Sequence, residues 1–410
     1  MPFKTNIIRG KKIELLAPAG NFEKLEIAIN YGADAVYLAG LDFSLRNFSG
    51  NFSMDELEKA LCLARSKQVK VYVACNIYAR NEEILKIEEY LLKLADLSPD
   101  AVIIADPGIF QMAQRILPPI PIHISTQANT TNYQTALFWH SLGASRINAA
   151  RELSLIEIEK IAGFNELEVE AFVHGAMCIS YSGRCLLSSF MAKRDSNRGM
   201  CCHPCRFNYA VMEAFRPDQY YPLAEDQRGT YIFNSRDLCM IEHLPAMIKS
   251  GLTSLKIEGR MKGIHYLASV LNVYRRAIDA YYHDPAGYQV NPAWIQELGQ
   301  ISHRGYCTGF YFNDPDQIIA DFDKNQNTGN LFLGKILEPT QNRQVLCQVR
   351  NKIFKDDLIE ILTPGQALKH DKINEIYNLD KEPLFFAQPG SLVKIVLDNL
   401  CKPNDLIRRR

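Results

Sequence analysis

Short apolar runs alternate with amphipathic stretches over the first 260 residues of the chain. Eight runs of six or seven residues, rich in Val, Ile, Leu and Ala, are typical of buried strands. They cover 13–18, 34–39, 69–75, 100–106, 121–126, 145–150, 168–174 and 254–259. The stretches between them, such as 53–68, place apolar residues on one helical face. Asn21, Ser53 and Ser154 stand where helices are expected to begin, and Gly163 where one is expected to end.

This alternation predicts an α/β protein with a parallel sheet that is buried on both faces. Eight strand–helix units fit a closed, TIM-like (β/α)8 barrel. An open, doubly wound sheet is the alternative, but the first strand continues into "APAGN" (17–21), which lacks the GxGxxG spacing of a dinucleotide-binding loop. The pattern therefore favours the barrel.

The pattern also predicts a domain organisation. The seventh and eighth predicted strands are about 80 residues apart, which indicates an insertion at about 176–240. After about residue 325 the chain changes to short alternating strands bounded by Gly, Pro, Asn and Asp. We therefore expect a barrel domain over 1–325, which includes the insertion, and a small antiparallel β-barrel domain over 326–410.

The overall charge gives no reason to expect a polyanionic partner. The chain has 46 Lys and Arg residues and 46 Asp and Glu residues, so nucleic acid would have to meet a local basic patch. The terminal Arg408, Arg409 and Arg410 are expected to be solvated. No stretch has the length of a signal peptide core or a membrane span, which predicts a cytoplasmic protein with reduced thiols and no membrane partner.

Five of the eleven cysteines fall within 28 residues. Four follow the spacing C-x6-C-x15-C-x3-C: Cys178, Cys185, Cys201 and Cys205. Four thiolates can hold zinc or an iron–sulfur cluster. The long, uneven gaps and the sulfur-only donors favour a cluster, with neighbouring buried cysteines as the alternative. Cys202 and Cys239 lie nearby, and each could replace one of the four ligands.

Polar residues follow several predicted strands, and in a barrel they would line one mouth. They are Asn76, Asp106, Ser125, Thr126, Gln127, Arg151, Glu152, His174, Lys256, Glu258, Arg260 and Lys262. Arg151 and Arg260, the latter expected to begin the next helix, are candidates to clamp a carboxylate substrate. Together with Glu258 and His174 they form the candidate catalytic set. The alternatives are a structural ion-pair network and, for His174, a hydrogen-bonded histidine at a strand end.

Several blocks of the sequence together resemble the collagenase-like U-thirty-two peptidase family. They include "EAFVHGAMCISYSGRCLLSS" (170–189), "HISTQANTTN" (123–132), "KIEGRMK" (256–262) and "SHRGYCTGFY" (302–311). The resemblance covers roughly residues 13–312, and the final β segment is similar to the family's C-terminal domain. Within the family, the chain is most similar to the bacterial subgroup that supports 5-hydroxyuridine synthesis in tRNA.

The resemblance implies a [4Fe–4S] cluster on Cys178, Cys185, Cys201 and Cys205. It also implies hydroxylation of the wobble uridine in the tRNA anticodon loop without molecular oxygen, with prephenate as a co-substrate. A protein that donates electrons is a further expected partner. Tyr181, Phe190 and Phe207 are candidates for stacking on the base, with core packing as the alternative. A peptidase, or an iron–sulfur subunit of a larger hydroxylation complex, are the alternative functions.

Overall fold

A computed structural model describes most of the chain and all of its predicted barrel strands. The described residues are 12–44, 50–164, 167–178, 180–198, 200–206, 224–226, 229–231, 235–313, 331–341 and 343–410. The chain forms two compact units. One holds the described parts of Met1–Leu25, Asp34–Met261 and His303–Gln326, and the other those of Glu26–Ala33, Lys262–Ser302 and Asn327–Arg410. The predicted domain boundary near residue 325 therefore stays a prediction.

The first unit contains twelve strands among its described residues. In chain order they are β1 (Glu14–Pro18), β2 (Ala35–Leu38), β3 (Lys70–Cys75), β4 (Ala101–Ile104), β5 (Ile122–Ile124), β6 (Arg146–Asn148), β7 (Glu168–Ala176), β8 (Ala224–Asp226), β9 (Gly229–Tyr231), β10 (Asp237–Cys239), β11 (Ser254–Ile257) and β12 (Tyr306–Cys307). Strands β1 to β7 pair in sequence order, all parallel, and β11 pairs in parallel with both β1 and β7. The sheet is therefore a closed eight-stranded barrel, as the sequence predicts, and the open-sheet alternative is wrong.

Helices follow the barrel strands in the chain. The described helices are α1 (Phe22–Asn30), α2 (Met54–Ser66), α3 (Ile84–Leu97), α4 (Pro107–Ile116), α5 (Tyr133–Ser141), α6 (Leu155–Ala162), α7 (Leu187–Ala192), α8 (Leu244–Lys249), α9 (Ile264–His283) and α10 (Pro292–Gly299). Ser53 and Ser154 form capping boxes with the glutamates three residues later, as their positions predict. Asn21 accepts from the Lys24 N–H at 2.9 Å and so caps α1.

One sequence expectation about a helix start is wrong. Arg260 does not begin a helix, because α9 starts only at Ile264, with Gly263 in extended backbone as its first flanking residue. Arg260 lies in the turn between β11 and α9 instead. The Lys262 ammonium, in the same turn, donates to the Ser302 carbonyl at 3.0 Å.

The insertion between β7 and β11 adds short strands and a short helix. Strands β8 and β9 form an antiparallel hairpin. Strand β10 pairs antiparallel with the end of β7, so that Cys239 lies opposite His174. Strand β12 pairs with β10 on its other side.

The C-terminal part of the chain is antiparallel and all-β among its described residues. Its strands are β13 (Phe332–Ile336), β14 (Gln344–Val349), β15 (Ile353–Phe354), β16 (Leu358–Leu362), β17 (Lys369–Lys372), β18 (Glu375–Tyr377), β19 (Pro383–Leu384), β20 (Phe386–Ala387), β21 (Leu392–Val396) and β22 (Leu406–Arg409). Eight of them form one sheet in the order β17-β16-β22-β13-β14-β21-β18-β19, and β15 pairs with β20.

The expectation that the terminal arginines are solvated is wrong for Arg408. This residue is 2% exposed in β22. Its guanidinium pairs with Glu297 at 2.7 Å and with Glu360 at 2.8 Å. A buried arginine is retained only where carboxylates compensate its charge, and these two come from a helix and a strand far away in sequence. The local sequence therefore gave no indication of them.

Candidate functional site

The carboxyl ends of the barrel strands enclose a polar cavity, which we call the mouth cavity. Its empty space, counted together with the part open to solvent, is about 500 Å³. The lining residues are Tyr37, Ala74, Asn76, Ile103, Ser125, Thr126, Gln127, Asn148, Arg151, Phe172, Lys256, Glu258 and Arg260. They come from β2 to β7, from β11 and from the loops that follow, which is where (β/α)8 enzymes carry their active sites.

Arg151 contacts three side chains at the mouth cavity. Its Nη2 lies 3.7 Å from Glu258 Oε2, and its Nη1 donates to Cys178 Sγ at 3.7 Å. Its guanidinium carbon lies 4.1 Å from the centroid of the Phe172 ring, a cation–π distance. The Arg151 Nε–H is buried and has no hydrogen-bond partner among the described residues. A planar guanidinium with a donor left over is well suited to bind a carboxylate or phosphate.

Arg260 and Glu258 reach the cavity from the turn after β11. Arg260 is 3% exposed and donates through Nη2 to Asn51 Oδ1. The Glu258 N–H donates to the His174 carbonyl at 2.8 Å, which fixes the start of this turn against β7. The cavity is therefore lined by two guanidinium groups, the Lys256 ammonium and one carboxylate, and it can bind a substrate that carries negative charge.

A cluster of charged side chains fills the barrel interior beside this cavity. Arg146 Nη1 lies 2.6 Å from Glu14 Oε1 and 3.3 Å from Glu170 Oε2. The Tyr72 hydroxyl donates to Glu14 Oε2 at 2.7 Å, and the Lys256 ammonium lies 2.8 Å from Glu170 Oε1. Strands β1 and β6 are not neighbours in the sheet, so the Arg146–Glu14 contact crosses the barrel interior. We call these five residues the interior cluster.

The interior cluster changes the ionisation of its neighbours. Burial alone would raise the pKa of Glu14, but the charge of Arg146, with hydrogen bonds from Arg146 and Tyr72, holds it below its usual value. Burial, and then the positive charge of Arg146, hold the pKa of His123 well below its usual value. His123 is therefore neutral at physiological pH, and its ring packs edge-on against Tyr72 at 4.7 Å between centroids.

The structure brings together most of the strand-end residues that the sequence pointed to. Arg151, Glu258 and Arg260 of the candidate catalytic set line the mouth cavity. The described lining does not include His174, whose ring lies against Tyr306 at 5.3 Å between centroids. Asp106 caps helix α4 instead, accepting from Gly108 N at 2.8 Å. The proposed catalytic roles themselves stay predictions.

Sequence reasoning missed Tyr37, Asn148 and Phe172, which lie within strands rather than after them. It also missed the interior cluster. The pattern did contain an indication: Glu14, Arg146 and Glu170 are charged residues inside runs that were otherwise read as apolar. A charged residue in a strand buried on both faces needs a partner across the interior.

The insertion is anchored on the rim of the mouth cavity. The Ser182 N–H donates to Glu152 Oε1 at 2.9 Å, in the loop after β6. A Cβ on Gly183 would clash with the Gln127 backbone at 2.8 Å, so only glycine allows this close approach to the loop after β5. Farther along, Asp195 lies 3.6 Å from Arg80, in the loop after β3. The segment that carries the cysteines therefore borders the cavity on several sides.

The cysteines of the insertion are free thiols near this rim. Cys178 follows β7 and contacts Arg151, whereas the Cys202 Sγ lies 3.3 Å from the Ser188 hydroxyl. Cys201 Sγ accepts from the His203 N–H at 3.4 Å. Sulfur-only donors are the ligands that an iron–sulfur cluster prefers. The side chains do not form a metal site as they lie, because in the parts of the chain that the structure describes no three His, Cys, Asp or Glu side chains are close enough together to hold a metal ion.

Adding a methyl group at Gly175 tests how tightly the end of β7 packs against the turn that carries Glu258. Gly175 has φ +110°, and a Cβ there would lie 2.9 Å from the Glu258 Cβ. Gly175→Ala is expected to lower the free energy of unfolding by about 2–4 kcal/mol, because it combines backbone strain with overpacking. Urea unfolding followed by circular dichroism measures the change.

Gly299→Ala is the matched control for this substitution. A Cβ at Gly299, the last residue of α10, would contact nothing within 4 Å. Alanine there should be neutral or stabilise the protein by up to about 1 kcal/mol. Equal effects of the two substitutions would show that Gly175 is not constrained as described.

Among the described residues, no helix combines the length and the apolar character that crossing a membrane requires. The fold and site thus define an α/β-barrel protein with an arginine-containing mouth cavity, bordered by a cysteine-bearing insertion.

Comparison with known proteins gives the family. The model of peptidase family U32 matches residues 20–321, and that of the U32 C-terminal domain matches residues 329–408. The chain therefore belongs to peptidase family U32, as the sequence resemblance predicts.

Curated relatives cover nearly the whole chain. It is 38% identical to tRNA hydroxylation protein P1 of Bacillus subtilis strain 168, over 99% of this chain and 98% of the relative. It is 42% identical to tRNA hydroxylation protein P of Helicobacter pylori strain J99, over 95% and 92% respectively. It is 28% identical to a protein of Porphyromonas gingivalis strain W83 named collagenase, over 97% of both.

Proposed function

We propose that this chain is a tRNA-modifying enzyme that hydroxylates the wobble uridine of tRNA to 5-hydroxyuridine. The two relatives named tRNA hydroxylation proteins support the substrate class, since they align with almost the entire chain. The observation that carries the proposal is the contact between the cysteine-bearing insertion and the mouth cavity, through Arg151 and Cys178 and through Ser182 and Glu152. These contacts support the proposal because they join the cysteine-bearing segment to Arg151, which lines the cavity, and to Glu152, the next residue in the chain.

The proposed cofactor is a [4Fe–4S] cluster on Cys178, Cys185, Cys201 and Cys205. The sulfur-only donor set and its spacing support this assignment. A bound cluster would supply one-electron transfer. Binding requires the four thiols to converge on one cluster. Cys202 is an alternative ligand, because it lies next to Cys201 in the same loop.

The proposed co-substrate is prephenate, which carries two carboxylates. Arg151 and Arg260 both line the mouth cavity, and Arg151 keeps an unpaired buried N–H. Two guanidinium groups in one cavity are suited to a dianion of this kind. Hydroxylation at C5 converts uridine and water into 5-hydroxyuridine and releases two protons and two electrons. The proposal therefore includes an acceptor for two electrons, so the expected redox partner protein has to take electrons up rather than donate them.

The experiment uses a strain that lacks this chain and has no other source of 5-hydroxyuridine. Complementation with the native chain should restore 5-hydroxyuridine derivatives in tRNA, measured by mass spectrometry of nucleosides. Joint replacement of Cys178, Cys185, Cys201 and Cys205 by serine should abolish them. It should also reduce the iron of the anaerobically purified protein from about four atoms per chain to near zero.

Cys62→Ser is the control, because Cys62 is exposed on α2, far from the insertion in sequence. It should retain both iron and modification. The separate variant Cys202→Ser reports whether Cys202 is a ligand. Unchanged iron in the fourfold variant would refute the cluster assignment, and unchanged nucleosides in the deletion strain would refute the function.

A peptidase is the alternative that the family name and the collagenase-named relative suggest. The mouth cavity does not favour it. No histidine is among its described lining residues, and the Ser125 hydroxyl accepts from Asn76 Nδ2 at 3.2 Å and from Gln127 N at 3.3 Å. A serine nucleophile needs a neighbouring base that these contacts do not provide. A role as an iron–sulfur subunit of a larger complex would show as modification activity that requires a second purified protein.

A further inference from the structure

We infer that the exposed surface of the cysteine segment, residues 178–206, is the docking surface for the single-stranded anticodon loop. This inference rests on the proposed function and specifies where the RNA is held. The surface, which we call the insertion face, consists of Tyr181, Arg184, Leu186, Phe190, Met191 and Lys193.

The first observation is a concentration of exposed apolar side chains. Tyr181 is 59% exposed, Leu186 61%, Phe190 80% and Met191 50%. Single exposed apolar residues are common on protein surfaces, but four within eleven residues form a local concentration that indicates a binding surface. Two of the four are aromatic, and aromatic rings are the groups on which unpaired bases stack.

The second observation is how helix α7 is oriented. Ser188 is fully buried, and its hydroxyl accepts from the Cys202 N–H at 3.2 Å. Leu186 and Phe190 lie two residues before and two residues after Ser188 in the sequence. In a helix, residues two apart point to nearly opposite faces, so both side chains lie on the face away from Ser188. The Phe190 N–H donates to the Leu186 carbonyl at 3.0 Å, so these two side chains are held one turn apart on the outer side. The apolar exposure is therefore a consequence of the fold in this segment.

The third observation is charge. The cysteine segment contains five Lys and Arg residues and a single acidic residue, Asp195, although the whole chain has equal numbers of basic and acidic residues. Arg184 and Lys193 are exposed within it. A neutral protein that binds a polyanion needs a local basic surface, and positive charges interleaved with aromatic rings are typical of single-stranded nucleic-acid binding.

The fourth observation places this face beside the proposed catalytic site. The Arg184 N–H donates to the Tyr181 carbonyl at 2.9 Å, forming a turn that contains Ser182 and Gly183. That turn is the part of the insertion anchored to Glu152 and packed against Gln127 at the cavity rim. A loop stacked on Tyr181 therefore lies next to the mouth cavity, where an unpaired uridine can enter without opening a duplex.

The test uses the full-length protein and a fluorescent anticodon stem–loop RNA, with a fully paired duplex of the same length as comparison. Joint replacement of Tyr181 and Phe190 by alanine should weaken stem–loop binding tenfold or more, since each stacked base contributes substantially. Joint replacement of Arg184 and Lys193 by alanine should reduce the slope of log affinity against log salt by about 1–2. The native protein should prefer the stem–loop to the duplex.

Matched controls keep the result interpretable. Phe138→Ala removes a ring of α5 that is 55% exposed, close to the 59% of Tyr181. Joint replacement of Lys59 and Lys93 by alanine removes two exposed lysines elsewhere. Neither change should alter binding by more than twofold. The conservative pair Tyr181→Phe and Phe190→Tyr retains both rings and should bind like the native protein, which separates loss of stacking from misfolding.

Three outcomes would overturn the inference. The Tyr181 and Phe190 double alanine variant could bind the stem–loop within twofold of the native protein, or the native protein could bind the duplex as tightly. Light scattering could also show that the same variant abolishes self-association without affecting RNA binding, which would assign the face to a second copy of the chain. Failure of the proposed function is distinct, because there the deletion strain itself keeps its 5-hydroxyuridine.

Discussion

Replacing Arg146 with alanine is expected to lower the free energy of unfolding by about 3–5 kcal/mol at neutral pH. Arg146 is 3% exposed and lies between the carboxylates of Glu14 and Glu170. Removing the guanidinium takes away the charge that lies closest to Glu14, where Lys70 remains at 3.8 Å, and leaves Glu170 with Lys256 at 2.8 Å. Removing one partner of a buried ion pair lowers the free energy of unfolding by more than the intact pair contributes to it, because the remaining charge stays buried without compensation.

The loss in the free energy of unfolding should depend on pH, and the pKa of Glu14 determines in which direction. In the native protein its pKa lies below the usual value, so the stability that it contributes is present above the unfolded pKa and is lost as the pH falls through the folded pKa. Without Arg146, burial raises the pKa of Glu14. The Arg146→Ala variant should therefore be most destabilised near pH 7, and the loss should become smaller as the pH is lowered and the buried Glu14 takes up a proton.

Urea unfolding at pH 7 and pH 5 measures both effects, and Arg115→Ala is the control. Arg115 pairs with Glu88 at 2.8 Å, but its side chain is 69% exposed. Exposed pairs of this kind contribute less than about 1 kcal/mol. A comparable loss for both arginines, or a loss at Arg146 that does not change with pH, would contradict the role given to the interior cluster.

The barrel could be predicted from the sequence because its evidence is local. Most of the eight strands are apolar runs followed by an amphipathic stretch, and capping residues such as Ser53 and Ser154 mark the helix starts. Such patterns are determined within a dozen residues. The short strands of the C-terminal part were harder: β17 is the sequence KHDK, whose strand conformation depends on its pairing with β16.

The candidate site was predictable only in part, for a related reason. Parallel strands of a barrel all end at one mouth, so Arg151, Glu258 and Arg260 could be grouped without knowing any distance. The contacts of the interior cluster could not, since Glu14 and Arg146 are 132 residues apart and meet across the barrel. Phe207, one of the candidate stacking residues, lies outside the described residues.

The charge distribution shows why whole-chain composition misleads about partners. Equal numbers of basic and acidic residues argue against nucleic-acid binding only if the charges are evenly spread. Here several basic residues are compensated by buried carboxylates, such as Arg146 by Glu14 and Glu170, and Arg408 by Glu297. In the cysteine segment, by contrast, Arg184 and Lys193 are exposed, and five basic residues stand against one acidic residue.

Replacing Arg151 with alanine should reduce the 5-hydroxyuridine content of tRNA by about 100-fold or more in the complemented deletion strain. Arg151 is the residue that links the cavity, Glu258, the Phe172 ring and Cys178. Arg151→Lys keeps the charge but loses the planar fork, so it should retain more activity than alanine and still fall at least tenfold below the native level. Arg115→Ala, on the exposed surface, should leave the modification unchanged.

A second variant distinguishes substrate binding from simple charge compensation. If Arg151 served only to neutralise Glu258, then joint replacement of Arg151 and Glu258 by alanine should restore the modification that Arg151→Ala removes, because no unpaired charge would remain. If Arg151 holds an anionic substrate, the double variant should be at least as inactive as Arg151→Ala, and Glu258→Ala alone, measured alongside, gives the separate contribution of that carboxylate. Restored modification in the double variant would exclude Arg151 as a substrate ligand. The enzyme would then modify tRNA although both the Arg151 guanidinium and the Glu258 carboxylate are absent.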